Sequence, residues 1–120
     1  MRMVSVHANA SPVLQMKVER QPTKTVVHCA GKVNLDSWAQ FSTTVRALIP
    51  ERKPIKVDLS NVVQVDSVGI GTFVSVWASA KKNDCDLKFI NPNERVADVI
   101  RITRLYPLFE SDDLGPSKGP

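Results

Sequence analysis

The stretch richest in chemistry runs Val57-Asp58-Leu59-Ser60-Asn61-Val62-Val63-Gln64-Val65-Asp66-Ser67-Val68-Gly69-Ile70-Gly71. An apolar, strand-like pattern leads into an acid, a hydroxyl and two glycines placed to open a helix. A glycine in a helix costs about 1 kcal/mol relative to alanine, so Gly69 and Gly71 call for tight packing or the close approach of another molecule. In the structural reading, the glycines seat a helix close to a sheet and Ser67 is its N-cap. A phosphate-cradling loop needs a third glycine at 74 or a Lys-Ser/Thr pair, and position 74 is Val. A hydrolase nucleophile elbow reads G-x-S-x-G, and Val65 stands where its first glycine belongs. The third chemistry is a regulatory phosphoserine. A hydroxyl at a helix N-terminus is exposed, and its phosphate faces free N–H groups and the positive end of the dipole. Adjacent Asp66 offers a modifying enzyme a carboxylate to recognise.

Other reactive types are sparse. Cys29 and Cys85 lie far apart with no C-x-x-C, and His7 and His28 do not cluster, so no zinc-ligand spacing exists and no metal, cofactor or catalytic residue is expected. The chain has 120 residues, the length of one domain, with 42% hydrophobic and 23% charged residues, as in ordinary globular proteins. Its net charge of +4 is scattered among acidic residues and only 6% of residues are aromatic, which argues against nucleic-acid binding. The uncharged run from Ser67 to Ala80 falls short of the ~18 residues of a membrane span. The first dozen residues show no apolar core of a secretory signal, so the expected compartment is the cytoplasm.

The periodicities supply the elements that must position Asp66 and Ser67. Leu14, Met16 and Val18 alternate with Gln15, Lys17 and Glu19 as in a half-buried strand, and Gln21-Pro22-Thr23 turns the chain into a β-branched run from Thr25 to Val33. These two form an opening hairpin, with Gly31 marking a bulge or strand exit. Ser37-x-x-Gln40 has capping-box spacing, and Leu35, Trp38, Phe41, Val45 and Leu48 gather on one helical face. Ile55, Val57 and Leu59 make a third strand, which Val63 and Val65 extend. A helix then follows from Ser67 with Ile70, Phe73, Val74 and Trp77 on one face. Cys85, Leu87 and Phe89 alternate as a strand, and Asn91-Pro92-Asn93-Glu94 starts a last helix with Asn91 as N-cap. Leu108-Phe109 closes the pattern as a short strand. The expected fold is α/β: one domain over 13–110, a mixed four- to five-stranded sheet, and about three helices mainly on one face. Residues 1–12 and 111–120 are expected to be flexible extensions.

On these residues the chain resembles STAS domains, the family of bacterial anti-sigma factor antagonists. The likeness covers about Leu14 to Phe109. It includes the Asp-Leu-Ser strand, Asp66-Ser67-x-Gly69, the strand exit Cys29-Ala-Gly-Lys-Val-Asn34 and the Leu87-Lys-Phe-Ile-Asn91 strand. The resemblance implies a non-enzymatic regulator working by partner switching. Its partner is an anti-sigma factor that is also a serine kinase; phosphorylation ends the capture and a PP2C-type phosphatase restores it. The phosphoacceptor falls on Ser67, and the partner-binding positions on Gly31, Lys32, Val33, Asn34, Asp66, Ser67, Val68 and Gly69. Lys32, Asn34 and Val68 depart from residues common in the family, Val68 replacing a second hydroxyl. An alternative role is a STAS subunit of a lipid-transport ATPase complex or a signalling scaffold, with no phospho-switch. The expected assembly is a monomer or weak dimer.

Both cysteines are expected to be reduced packing residues. Intact mass and melting temperature should be the same with and without reductant; a reductant-labile crosslink would refute this.

Overall fold

The computed structural model describes residues 3–5 and 13–110. One five-stranded sheet runs in chain order, β1 (Met3–Ser5), β2 (Leu14–Arg20), β3 (Thr25–Val33), β4 (Ile55–Val65) and β5 (Leu87–Ile90). β2 runs antiparallel to both of its neighbours, β1 and β3, whereas β3, β4 and β5 are parallel. Helices α1 (Trp38–Arg46) and α2 (Ser67–Lys82) make the two crossovers that parallel neighbours require, and α3 (Glu94–Thr103) follows β5. This is the mixed α/β sheet with an opening hairpin that the periodicities imply.

Alternation fixes which sheet face is covered. Leu14, Met16 and Val18 of β2, Val27 and Cys29 of β3, Ile55, Val57 and Leu59 of β4, and Leu87 and Phe89 of β5 all enter one core. The same core takes Phe41 and Val45 from α1, Phe73 and Val76 from α2, and Val96, Ala97 and Ile100 from α3. Four buried rings knit these layers: Phe41 lies 5.2 Å from Phe73, Phe73 4.6 Å from Phe89, and Phe89 5.4 Å from Phe109. Tilted pairs at such spacing add to the burial of the rings themselves. The other sheet face carries charge. His28 Nε2 meets Glu19 at 2.8 Å and its Nδ1 lies 3.4 Å from Asp58. The hydrogen bond from His28, aided by Gln21, holds the Glu19 carboxyl below its ordinary pKa. Burial pushes the Asp58 carboxyl up, but hydrogen bonds from Ser60 and Asn91 outweigh it and leave the pKa lowered.

Several elements differ from the sequence-based expectation. Met3–Ser5, placed in a loose extension, pairs with Lys17–Glu19 as an edge strand; three residues held by main-chain pairing are too few to show a period. The other residues of 1–12, and all of 111–120, lie outside the described residues. β4 is continuous over 11 residues, but the pairing of β3 with β4 slips between His28 and Ala30 and again between Gly31 and Lys32. The slip reverses the alternation, so Val62 is buried and Val63 exposed. The N-cap of α3 is Asn93, whose Oδ1 accepts from Val96 N at 3.0 Å, while Asn91 adopts a left-handed φ of 56° two residues earlier. Asn93 Nδ2 also donates to Val62 O, tying α3 to the bulged strand. Cys85 precedes β5 rather than lying in it, and the last strand reduces to a bridge from Phe109 to Phe89 after a 3-10 turn, Tyr106–Leu108.

The buried stripe of α2 is Gly69, Thr72, Phe73, Val76 and Ala80, leaving Ile70, Val74 and Trp77 half-buried. Trp77 lies at the stripe's edge under the Lys81 ammonium, 5.3 Å from its ring. Phe73→Ala should therefore lose about 3–5 kcal/mol in denaturant melts, and Trp77→Ala less than about half of that. Equal losses would show that both side chains share the core face.

Candidate functional site

Asp66 ends β4 and caps α2. Its Oδ1 accepts from Gly69 N at 2.8 Å and its Oδ2 from Leu35 N at 3.2 Å, while its own N–H donates to Val33 O at 3.3 Å. One carboxylate thus satisfies an orphan helix N–H and anchors the turn after β3. The N-cap is Asp66 and not Ser67, and both carboxylate oxygens have partners within the domain. Gly69 explains why a carboxylate of this reach is needed. A Cβ there would lie 2.2 Å from Val33 O and 2.8 Å from Val65 Cγ1. The first turn of α2 therefore sits directly on the end of β3, at a distance only glycine permits.

The turn between β3 and α1 is equally fixed. Ser37 Oγ donates to Lys32 O at 2.7 Å and accepts from Asn34 N at 3.0 Å, and Asn34 Oδ1 accepts from Asp36 N at 2.9 Å. The expected capping box does not form. Ser37 stands at the N-cap with its hydroxyl turned back into the turn, and Gln40 Nε2 donates to Leu14 O at 3.2 Å.

Ser67 is the first residue of α2 and is exposed. The N–H groups of Ser67 and Val68 have no intrahelical acceptor and lie at the positive end of a 16-residue helix. Of the residues singled out in the sequence, Lys32 and Ser67 are exposed and Asn34, Asp66 and Val68 half-buried around them. Val33 and Gly69 are buried and shape the site from beneath. Gly31 is half-buried, has φ +116° and lies against Val13 O, 2.1 Å from where a Cβ would be, so it makes the strand bulge.

Two residues expected in the core belong to this surface instead. Leu35 is 67% and Trp38 43% exposed. Leu35 falls in the turn before α1, outside the helical period. Trp38 lines one groove with Val68 and Gly71 of α2. The signal available in the sequence was their adjacency to the strand exit, which helical periodicity overrode. Among the described residues no histidine serves Ser67 as a base: His28 is engaged by Glu19 and Asp58 on the charged sheet face. Cys29 and Cys85 are buried and unpaired, and burial pushes both thiols up. That suits packing and not nucleophilic chemistry.

Comparison with known proteins joins this geometry to a family. The family model described as Mlab, STAS domain matches residues 16–109. The chain is 25% identical over 97 residues to the anti-sigma-B factor antagonist of Bacillus subtilis (strain 168), spanning 81% of this chain and 89% of that one. The crystal structure of an anti-sigma factor antagonist from Mycobacterium paratuberculosis is similar with a TM-score of 0.67 at 21% identity, over 83% of this chain and 86% of that one. The Bacillus cell fate determinant SpoIIAA in its phosphorylated form is similar with a TM-score of 0.62 at 14% identity, over 86% and 92%. At these identities the structural likeness is one of fold.

The Asp66 cap should be worth about 1–2 kcal/mol, so Asp66→Ala loses that much in urea melts, while Asp66→Asn retains most of it because an amide oxygen still accepts from Gly69. Equal losses for both variants would mean that the charge, and not the capping oxygen, stabilises the turn.

Proposed function

The chain belongs to the STAS domain family, and on that basis we propose that it is an anti-sigma factor antagonist, a non-enzymatic binding module switched by phosphorylation at Ser67. One observation carries the reading: Ser67 is an exposed hydroxyl at the start of α2, on a surface that also exposes Leu35 and Trp38. Exposed large apolar side chains grouped around a modifiable residue suit a protein interface. The curated relative from Bacillus subtilis carries the antagonist name, and a structural neighbour, the Bacillus cell fate determinant SpoIIAA, is in its phosphorylated form. The partner is an anti-sigma factor with serine kinase activity, and a PP2C-type phosphatase resets the switch. Lys32, Asn34, Val68 and the backbone around Gly69 complete the contact surface.

The physics of the switch follows from Asp66. A phosphoserine at 67 places about −1.5 to −2 charge next to a carboxylate already engaged in capping. In the unbound protein the first-turn N–H groups and helix dipole offset part of this, by about 0.3–1 kcal/mol. In a closed interface the dianion is desolvated without a new partner, which costs several kcal/mol. The domain therefore tolerates the phosphate and the complex does not.

That the matching family is named for Mlab, and not for a sigma regulator, favours a second reading. Here the chain is a STAS subunit of a lipid-transport ATPase complex, or a signalling scaffold, docking through the same face with no phosphate on Ser67.

Incubation with a cognate anti-sigma kinase and ATP should add one phosphate by intact mass, and Ser67→Ala should abolish it. Ser67→Asp should fold normally yet bind the kinase at least ~30-fold more weakly, about 2 kcal/mol. Unaltered binding by Ser67→Asp, with no phosphate gained by the parent chain, would replace the switch with the transport-subunit reading.

A further inference from the structure

We infer that the groove between α1 and α2 is a docking slot for a segment of the anti-sigma kinase that lays its backbone over Gly71 and presents a carboxylate to Arg46. The inference rests on the partner-binding reading of the Ser67 face and extends it along α2.

Gly71 is its starting point. Glycine weakens a helix, and at Gly69 the reason is plain, because Val33 O occupies the space of a Cβ. At Gly71 a Cβ meets nothing within 4 Å. Packing within the domain thus gives no reason for glycine there, which leaves close approach from outside. Ser67, Gly71 and Ser75 recur every four residues and so share one stripe of α2. The floor of the groove is therefore continuous with the candidate phosphoacceptor.

The walls define what fits. The groove, about 270 Å³, is lined by Trp38, Ser42, Arg46, Val68, Gly71 and Ser75. The half-exposed Trp38 indole offers an apolar wall to an aliphatic side chain. Arg46 Nε donates to Ser42 Oγ at 2.9 Å and its Nη2 to Ser75 Oγ, so the guanidinium is held across the two helices. Arg46 makes no ion pair among the described residues, and no carboxylate lines the groove. A pre-oriented guanidinium with spare donors and no acid is complementary to a carboxylate. The fitting segment therefore carries an aliphatic residue beside an acidic one. It presses main chain against Gly71, where an added methyl would hold it away.

The test pairs thermal melts with calorimetric titration of an anti-sigma serine kinase from the same organism into the full chain. Gly71→Ala should melt about 2–6 °C higher, because helix propensity improves in open space. It should nonetheless bind the kinase at least about tenfold more weakly, as should Arg46→Gln, which removes the charge and keeps a hydrogen-bonding side chain. If both variants bind like the parent while Ser67→Asp is weakened, the slot is overturned and the Ser67 reading stands. If both are weakened while Ser67→Asp binds like the parent, the slot is supported and the phospho-switch fails. A Gly71→Ala variant melting below the parent would assign Gly71 to the fold and overturn the slot.

Discussion

The contact between Gly69 and the Val33 carbonyl sets the geometry of the whole Ser67 end of the domain. With only 2.2 Å between that oxygen and the place of a Cβ, α2 begins as near the end of β3 as a helix can. That closeness brings Leu35 N within reach of Asp66 and lets one carboxylate hold both the helix start and the β3–α1 turn. It also leaves Ser67 and Val68 at the rim, since the turn's inward side is filled by backbone. A larger residue at 69 would lift the helix, release the turn and disperse the surface that the turn and helix share.

The sheet separates two kinds of work. Its covered face is apolar and locked by aromatic contacts from α1, α2 and β5. Most of the stability resides there, because exposed ion pairs such as Arg20–Glu51 contribute little. Its open face gathers Glu19, His28 and Asp58 across three neighbouring strands, and so keeps the well-placed histidine away from Ser67. Ser67 thus takes no general base from His28.

Helix α2 connects these layers. One side carries Phe73 and Val76 into the core, and the other carries Ser67, Gly71 and Ser75 along the groove. Because a single helix bears both, the surface it presents is placed by core packing.

Much of this was legible in the residues themselves. Two-residue alternation from Leu14 to Val18 and from Ile55 to Leu59, and the Asp66-Ser67-x-Gly69 junction, determined the succession of strands and helices from Leu14 on, the mixed sheet and the place of Ser67 at a helix start, because these are local consequences of backbone period and capping chemistry. Tertiary structure decided what depended on distant neighbours. Leu35 and Trp38 fit a helical stripe, yet the stripe outruns the core, and both side chains stay exposed. Asp66 caps the helix through a local bond from Gly69 N, but its other oxygen takes Leu35 N, 31 residues away, which only the fold brings near. The two glycines look alike in the chain. Val33 O lies over one and nothing over the other, a difference set by how the helix docks on the sheet and carried by no residue near either glycine in sequence.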